Sequence, residues 1–427
     1  MGRACGRAHR RRASDAASVR ILVVSQWFPP EPGGGPARFQ EMGRAWARAG
    51  HEVHILAGIP NWPTGVVAPG YEGRRYVREE MDGMQVHRTW VYPTPNEGRW
   101  KRIGNHVSFL ASAPVVAAAR RIPADVVVAT SPPLFAAMAG LSIARAKRVP
   151  FVFDVRDLWP DAIFALGQMQ QPGVRGLLRW LERRLYRAAD TVVAVSPGFI
   201  EPIRGRGGRR VEVIPNGADL EFFHPDQVTA RPLRDEMGWV NHFVVLYAGT
   251  LGMAHGLMQV VDAAAATEAK DILFALVGDG ADRERLERAV RERGLRNVQV
   301  LPLQPRERMP DLYRAADACL VSLRPIPLFD RFIPSKIFEI MACARPILAA
   351  VGGTPLDLVR EAGAGLPVEQ GSAHSLLGAV KQLRALTPAA RSEMGLRGRH
   401  WAEGHVDRVA LATRYGALLD SLVHGTG

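Results

Sequence analysis

The sequence predicts an α/β protein with two successive doubly wound parallel sheets. Three observations indicate this class. Short apolar runs alternate with segments of helical periodicity along most of the 427 residues, as in consecutive βαβ units. The runs are apolar at nearly every position, which is typical of strands covered on both faces. The alternation begins near Val19 and starts again near Arg210.

The first series opens with a predicted strand at residues 19–25, which leads into a loop rich in proline and glycine. Residues 37–49 are predicted to form a helix, because apolar side chains recur there at helical spacing and Gly50 follows. A second strand is predicted at residues 52–57. Three further strands complete this series, at residues 125–130, 150–155 and 191–196.

The second series follows residues 203–210, a Gly- and Arg-rich segment that we interpret as the linker. Helices are predicted at residues 282–293 and 401–424. The strands are predicted at residues 211–214, 243–248, 272–277, 298–301, 318–321 and 346–350.

These elements suggest four parts of the chain. A disordered basic tail, residues 1–18, precedes a first Rossmann-like domain at residues 19–205. A second Rossmann-like domain spans residues 210–400. The remaining residues, 401–427, are expected to form a helix that packs back toward the first domain. In two such modules, ligands bind at the carboxyl ends of the strands, so a cleft between the domains is the expected site.

Composition excludes several classes of protein. Hydrophobic residues make up 47% and charged residues 23% of the chain, which is ordinary for a globular protein and excludes a wholly disordered one. The 3 cysteines show no pairing pattern or metal-ligand spacing, so we expect no disulfide scaffold and a reducing compartment. No apolar run reaches the roughly 18 residues of a membrane span.

The net charge of +13 is concentrated in the first half of the chain. Residues 1–210 contain 31 basic and 16 acidic side chains, whereas residues 211–427 contain 24 and 26. This asymmetry suggests that the first half meets an anionic partner, either lipid, nucleic acid or a phosphorylated substrate. Residues 1–18 carry no apolar segment after their arginines and are interpreted as a tail or an early start codon, with a membrane-touching arm as the alternative.

Each module has a glycine-rich loop after one of its early strands. In the first module it follows the strand at residues 19–25, and in the second the strand at residues 243–248. Gly33, Gly34 and Gly35 could bring backbone N–H groups close to a substrate, or could simply form a loop. In the second loop, residues 247–256, Gly249 and Gly252 leave a turn without side chains before a helix, which suits a diphosphate. Neither a nicotinamide fingerprint nor a Walker loop is present there.

A basic and an acidic side chain lie three residues apart in the segment 331–339. Lys336 and Glu339 would share one helical face, where a cation could bind phosphate and a carboxylate could bind ribose hydroxyls. The alternative is an ordinary surface pair.

Residues 154–161, at the carboxyl end of a first-module strand, contain three Asp and one Arg. Their side chains could cap a helix, or Arg156 and Asp157 could contact an acceptor or a transition state.

These segments together resemble glycosyltransferase family 4, whose members are retaining enzymes of the GT-B fold. The resemblance runs from about Ile21 to residue 420. Asp157-Leu158-Trp159-Pro160 and Pro334-Ser335-Lys336 are similar to a bacterial polysaccharide branch that includes O-antigen and colanic-acid glycosyltransferases. The signature stretches are residues 213–219, 247–256, 276–280, 297–302 and 334–339.

The resemblance implies a nucleotide-diphosphate sugar held mainly by the second domain and a glycan acceptor held by the first. The donor would contact Gly249, Thr250, Leu251, Gly252, His255, Asp279, Arg331, Pro334, Ser335, Lys336 and Glu339. The acceptor side would include Gly33, Gly34, Gly35, Thr130, Ser131 and Asp157. Lys336, Asp157 and Arg156 are the candidate catalytic residues.

Several positions depart from the wider family pattern. In the glycine loop, Thr250 replaces the usual Arg and His255 the usual Lys. Arg331 replaces the first Glu of the usual pair, and Glu339 keeps the second. In the first domain, Thr130 and Arg156 each stand where a His is usual. We therefore expect Lys336, assisted by the N-terminus of its helix and by Arg331, to carry the contact with the diphosphate.

Neither a metal nor another cofactor is expected. The chain contains no Asp-x-Asp segment, which metal-dependent transferases use to hold the diphosphate through a divalent ion. The resemblance implies retention at the anomeric carbon. Because no carboxylate nucleophile is obvious in the motifs, a front-face route is favoured, in which the leaving phosphate helps to deprotonate the acceptor.

Two alternatives remain open. A sugar-nucleotide 2-epimerase would share the fold. Free nucleotide diphosphate that appears only when an acceptor is added would distinguish a glycosyltransferase from it. A non-catalytic basic module would bind nucleic acid or membrane, but the arginines lack the aromatic platform of single-strand binders, so no nucleic-acid partner is expected.

A cytoplasmic location at the inner face of the cell membrane is expected, because acceptors in the resembled branch are lipid-linked. Trp100, Ile103, Val107 and Leu110 recur at helical spacing beside Lys101, Arg102 and His106, a pattern of interfacial helices. Arg175, Arg179 and Arg183 form a second cationic stripe. Alternatively, the first segment is a core-facing helix and the second a solvated face.

Overall fold

The computed structural model describes residues 18–425 except residues 32, 63, 95–98, 168, 170 and 226–229. Its described residues form two α/β domains, each built on a largely parallel sheet, which confirms the predicted fold class. The strands are β1 Arg20–Val24, β2 Glu52–Gly58, β3 Tyr76–Met81, β4 Met84–Thr89, β5 Val126–Ser131, β6 Phe151–Val155, β7 Thr191–Ala194, β8 Val211–Val213, β9 Phe243–Ala248, β10 Ile272–Val277, β11 Val298–Leu301, β12 Ala318–Ser322, β13 Ile347–Ala350 and β14 Gly365–Pro367.

Helices connect these strands. They are α1 Gly34–Arg48, α2 Arg99–Ala119, α3 Leu134–Lys147, α4 Asp161–Ala165, α5 Pro172–Ala188, α6 Ile200–Arg204, α7 Ala230–Met237, α8 Met258–Ala265, α9 Arg283–Glu292, α10 Met309–Ala315, α11 Lys336–Ala342, α12 Gly353–Glu361, α13 Ala373–Ala385, α14 Pro388–His405 and α15 Arg408–His424.

The two sheets have the strand orders β3-β4-β2-β1-β5-β6-β7-β8 and β11-β10-β9-β12-β13-β14. The chain reverses direction across the second sheet between β9 and β12, and such a switch point opens a crevice at the carboxyl ends of the strands. Strands β9, β10 and β12 are buried at every position, as the apolar runs predict.

The sequence placed residues 211–214 in the second series, and this was wrong. Strand β8 pairs in parallel with β7 and so belongs to the first sheet. The preceding segment, interpreted as a linker, contains the end of α6 and a turn in which Arg206 forms ion pairs with Asp161 and Glu182. A three-residue edge strand gives too little periodicity to assign it to a sheet from sequence.

Residues 401–424 form two helices rather than one. Helix α14 ends at His405, and α15 begins at Arg408. Between them, Asp407 bridges to Ala218, whose N–H donates to the Val406 carbonyl at 3.0 Å. The helix stops because its backbone pairs there with a distant segment.

By compactness, the described residues divide into two units. Unit 1 contains the residues up to Val152 together with those from Ala412 onward, and unit 2 spans Phe153–Leu411. Within unit 1, the C-terminal helix contacts α1. Trp46 Nε1 donates to the Ala412 carbonyl at 2.9 Å, and the Trp46 ring meets the edge of Tyr415 at 5.3 Å. No helix among the described residues is long and apolar enough to cross a membrane.

Candidate active site

The loop after β9 is built by close backbone packing against the loop after β10. Leu251 N–H donates to the Asp279 carbonyl at 2.8 Å. Gly278 has φ of 151°, and a Cβ there would lie 1.8 Å from the Gly249 carbonyl oxygen. Gly280 approaches the Leu251 carbonyl in the same way, at 2.6 Å from an added Cβ. The Gly-Asp-Gly segment is therefore required for the shape of the Gly249 loop.

Within this loop, the Leu251 side chain is fully buried in the hydrophobic core of the second sheet. Thr250 is exposed, and its carbonyl accepts a hydrogen bond from Tyr247 Oη at 2.8 Å. Gly252 precedes a short 3₁₀ turn, Met253–His255, and α8 begins only at Met258. A helix therefore follows the loop as predicted, but the 3₁₀ turn separates it from Gly252. Asp279 is exposed, and its Oδ1 accepts from the N–H of Gly280 at 2.8 Å.

Lys336 is the first residue of α11, and its ammonium group lies over this loop. Nζ lies 3.7 Å from the centre of the Tyr247 ring. A Cβ on Gly249 would be 2.9 Å from that nitrogen. Nζ is buried and has no hydrogen-bond partner among the described residues. Burial lowers the pKa of Lys336 to about 7, although the charge of Glu339 opposes the shift.

Glu339 lies one turn further along α11 and is half-buried. Its Oε2 accepts a hydrogen bond from Tyr313 Oη at 2.9 Å. The side chain is thus fixed in direction by a residue on α10. The i, i+3 relationship predicted from sequence exists, and the partly buried setting differs from a solvated surface pair.

His255 is a neutral imidazole. Its Nδ1 lies 3.1 Å from the Ser322 carbonyl, which can only accept, so Nδ1 carries the proton. Burial and the nearby charge of Lys336 lower the pKa of His255 to about 4. Nε2 of His255 is therefore a hydrogen-bond acceptor at neutral pH, and the ring lacks the positive charge and the donors of the lysine usual at this position.

Arg331 is exposed, and its backbone is clamped by the turn after β7. Ser196 Oγ donates to the Arg331 carbonyl at 2.6 Å, and Arg331 Nη1 donates to the Gly198 carbonyl at 3.2 Å. Pro334 and Ser335 connect this clamp to α11, and their carbonyls accept from the first-turn N–H groups of Ile337 and Phe338. Lys336 is thereby fixed at the start of its helix.

The acidic segment after β6 divides into different environments. Asp154 is fully buried within the strand, and Asp161 forms ion pairs with Arg206 and Arg179. Arg156 and Asp157 are half-buried. Burial raises the pKa of Asp157, while the neighbouring Arg156 opposes the rise. Asp161 therefore has a structural role, and Asp157 is a half-buried carboxyl group of this segment for which no ion pair is formed among the described residues.

Of the predicted acceptor-side residues, the three glycines, Thr130 and Ser131 lie in unit 1, whereas Asp157 lies in unit 2. Gly33 has φ of 127° and precedes α1, which begins at Gly34, and Gly35 is buried in its first turn. Thr130 and Ser131 end β5 and are buried. The Ser131 hydroxyl has no hydrogen-bond partner among the described residues.

Sequence reasoning gave no role to Tyr247, Tyr313 or Arg324. Tyr247 lies two positions before Gly249, so strand alternation could have placed it beneath the loop. Arg324 N–H donates to the Ala254 carbonyl at 2.8 Å, and the Arg324 side chain lines a cavity of about 320 Å³ beside Gly256. No sequence signal indicated Tyr313, which reaches Glu339 from a different helix.

Comparison with known proteins gives two matching family profiles. The profile described as "Glycosyl transferase 4-like domain" matches residues 33–217, and "Glycosyl transferases group 1" matches residues 233–401. A putative colanic acid biosynthesis glycosyl transferase of Escherichia coli is 29% identical over 85% of this chain and 92% of its own length. A 2-deoxystreptamine glucosyltransferase of Streptomyces kanamyceticus is 28% identical over 79% and 88%.

Solved structures share the fold. Sucrose-phosphate synthase from Thermosynechococcus elongatus has a TM-score of 0.77 at 21% identity, over 95% of this chain and all of that one. Anabaena HepE in complex with UDP and glucose has a TM-score of 0.71 at 21% identity, with the same coverage. Both profiles, the relatives and the two-sheet GT-B architecture agree, and the chain belongs to the family 4 glycosyltransferases.

Proposed function

We propose that this glycosyltransferase uses a nucleotide-diphosphate sugar and that unit 2 binds its diphosphate at Lys336. The observation that carries the proposal is the buried ammonium of Lys336, which has no hydrogen-bond partner among the described residues and faces a loop of bare backbone at Gly249. A buried cation without an anion is costly, and a charge-assisted bond to phosphate would compensate for it.

Neighbouring groups suit the rest of a nucleotide. Glu339 Oε2 is oriented by Tyr313, and a carboxylate held in this way can accept hydrogen bonds from ribose hydroxyls. His255, which is neutral, supplies a hydrogen-bond acceptor at Nε2 beside the loop. Anabaena HepE binds UDP and glucose in its crystal structure, and a Mycobacterium tuberculosis relative is a GDP-mannose-dependent mannosyltransferase. Uridine and guanosine nucleotides are therefore both reasonable probes.

We place the acceptor, a lipid-linked or oligosaccharide glycan, at the carboxyl ends of strands in the first sheet, with Arg156 and Asp157, which follow β6, contacting it or the transition state. The E. coli relative is named for colanic acid biosynthesis, and the pathway we propose is cell-surface polysaccharide biosynthesis, O-antigen included. Transfer would retain the anomeric configuration by a front-face route, since a double displacement needs a carboxylate beneath the sugar.

Metal independence is also part of the proposal. Lys336 would supply the positive charge that a divalent ion supplies in metal-dependent transferases. Turnover should then persist in the presence of EDTA, and full loss with recovery on added Mg²⁺ would contradict this part.

We propose further that the enzyme works at the inner face of the cell membrane and that α5 contacts anionic lipid. Its outer face exposes Val174, Leu177 and Trp180 at 40%, 55% and 51%. Arg183 and Arg184 are exposed beside them. The helix's acidic residue, Glu182, is buried against Arg206. Exposed apolar side chains flanked by arginine are typical of interfacial helices.

The other predicted docking segment receives less support. In α2, Lys101 and Val107 are exposed, whereas Arg102, Ile103 and Leu110 are partly buried. The side chain of Trp100 lies outside the described residues. His106 points into unit 1, where it bonds to Gln26, and burial lowers its pKa to about 4, so it is not part of a basic flank. In the cationic stripe, Arg175 stacks on Phe164 at 4.8 Å.

Nucleotide binding tests the central proposal. UDP, GDP and their sugar derivatives should each be titrated while the unfolding temperature of the full chain is recorded. A true ligand at 100 times its dissociation constant should stabilise the protein by about 2.7 kcal/mol. The same ligand should stabilise Lys336→Met far less. If no nucleotide raises the unfolding temperature, or if Lys336→Met responds like the native protein, the assignment is wrong.

A further inference from the structure

A cluster of aromatic and amide side chains lies in unit 1 at the carboxyl ends of neighbouring strands. Trp27 follows β1, Trp62 follows β2, and Phe135 stands at the start of α3 after β5. The two tryptophan rings lie 6.2 Å apart between centroids, and the Trp27 and His106 rings form a T-shaped pair with their centroids 5.6 Å apart. His106 also stacks on Phe135 at 6.0 Å. Carboxyl ends of parallel strands are where α/β sheets bind ligands.

A chain of hydrogen bonds fixes the tautomer of His106. The Tyr92 carbonyl can only accept, so it orients the Asn105 amide, whose Nδ2 donates to it at 2.7 Å. Asn105 Oδ1 then accepts from Gln26 Nε2. Gln26 Oε1 is left to accept from His106 Nδ1 at 2.9 Å. The proton is therefore on Nδ1.

Nε2 of His106 consequently carries a lone pair. Burial and the nearby charge of Arg102 lower the pKa of His106 to about 4, so the ring is neutral at physiological pH. Nε2 has no hydrogen-bond partner among the residues that the structure describes. The site thus offers one fixed hydrogen-bond acceptor beside two half-buried tryptophan rings.

We propose that Trp27, Trp62 and His106 form a subsite for a sugar ring of the acceptor, in which Nε2 of His106 accepts a hydrogen bond from a sugar hydroxyl. A pyranose presents C–H groups on its face and hydroxyls on its rim, which match an aromatic surface and a neutral acceptor. The identification of the ring as part of the acceptor rests on the proposed function, whereas the presence of a sugar site does not.

The experiment uses the full chain labelled with 5-fluorotryptophan and observed by ¹⁹F NMR. The probes are the methyl glycosides of glucose, galactose, mannose and N-acetylglucosamine. Trp27→Phe and Trp62→Phe assign two of the nine tryptophan resonances. At least one glycoside should shift both resonances in a saturable manner and leave Trp180, which is exposed on α5, unchanged. If no glycoside shifts both, the subsite does not exist.

Two substitutions of His106 separate binding from structural support. His106→Asn keeps a donor at the Nδ1 position and removes the Nε2 acceptor. His106→Gln keeps an acceptor near the Nε2 position and breaks the bond to Gln26. We expect the Asn variant to bind the glycoside at least tenfold more weakly and the Gln variant to retain most of the affinity. If instead the Gln variant loses glycoside affinity and the Asn variant keeps it, His106 only supports the Gln26 side chain, and its assignment to the subsite is wrong.

A parallel titration with UDP and GDP keeps this inference distinct from the proposed function. Neither His106 variant should change nucleotide affinity. Glycoside binding without nucleotide binding would contradict the proposed function and leave a sugar site. Nucleotide binding without glycoside binding would overturn the subsite alone.

Discussion

The ammonium nitrogen of Lys336 lies 3.7 Å from the centre of the Tyr247 ring. The ring face attracts the cation, but it cannot replace the hydrogen bonds that an ammonium makes in water. The Tyr247 hydroxyl is engaged with the Thr250 carbonyl, so the ring is fixed beneath the loop. The lysine is therefore positioned before a ligand binds, and its three N–H donors remain available for an anion.

The first prediction concerns pH. The pKa of free Lys336 is about 7, and a bound diphosphate would raise it by favouring the charged form. Above pH 7, binding must then take up a proton, so affinity should fall as pH rises, by up to about tenfold per unit. Calorimetry with UDP or GDP between pH 7.5 and 9, in two buffers of different ionisation enthalpy, measures the uptake. Terminal phosphates, with a second pKa of about 6, are already ionised in that range.

Lys336→Arg is the matched control, because guanidinium stays charged throughout. Its nucleotide affinity should lose the pH dependence. Proton uptake that persists in this variant would assign the titration to another group.

The second prediction concerns Gly278, whose missing side chain lets two loops meet. In Gly278→Ala the new Cβ would collide with the Gly249 carbonyl, and φ of 151° adds strain. We expect a loss of at least about 3 kcal/mol in the free energy of unfolding. Gly294→Ala is the control, since Gly294 has φ of 62° but nothing within 4 Å, and should cost only about 1 kcal/mol. Equal chemical denaturation midpoints would contradict the packing.

The third prediction concerns Glu339. Glu339→Gln keeps the shape and removes the charge, so a ribose contact should weaken. Nucleotide affinity should fall at least about tenfold, since a charged hydrogen bond contributes roughly 1.5–3 kcal/mol. Tyr313→Phe removes only the group that orients the carboxylate and should have a smaller effect of the same sign. Unchanged affinity of Glu339→Gln in calorimetry would leave Glu339 as a structural charge.

The fourth prediction separates Asp157 from its neighbour Asp161. Asp157→Asn should reduce the turnover number on the order of a hundredfold, as for lost acid-base or electrostatic assistance, and leave nucleotide affinity intact. Asp161→Asn should mainly lower the unfolding temperature, because it breaks the ion pair with Arg206. Loss of nucleotide affinity in Asp157→Asn would place Asp157 with the donor instead.

The sequence was sufficient where local pattern determines structure, and insufficient where distant contacts do. Apolar runs located β9, β10 and β11 to the residue. The hairpin β3–β4 was missed although Asp82-Gly83, both with positive φ, is a recognisable turn signal. The neutrality of His255 depends on burial and on Lys336, and the clamp on Arg331 joins residues more than a hundred positions apart. Neither is encoded in local spacing.

The last prediction concerns α5 and the membrane. Each exposed arginine near an anionic surface contributes ~1 kcal/mol at low salt, so Arg183→Gln with Arg184→Gln should weaken binding to phosphatidylserine-containing vesicles about thirtyfold. Leu177→Ser with Trp180→Ser should weaken binding that survives at high salt, since those side chains would enter the interface. Sedimentation with vesicles at low and high ionic strength measures both effects.

Leu303→Ser, which changes an apolar side chain exposed at 59% on unit 2, should leave vesicle binding unchanged. UDP and GDP affinity should be unaffected in all three variants. Equal sedimentation with neutral and anionic vesicles would exclude an electrostatic contribution, and retention of binding in both α5 variants would show that another surface contacts the lipid.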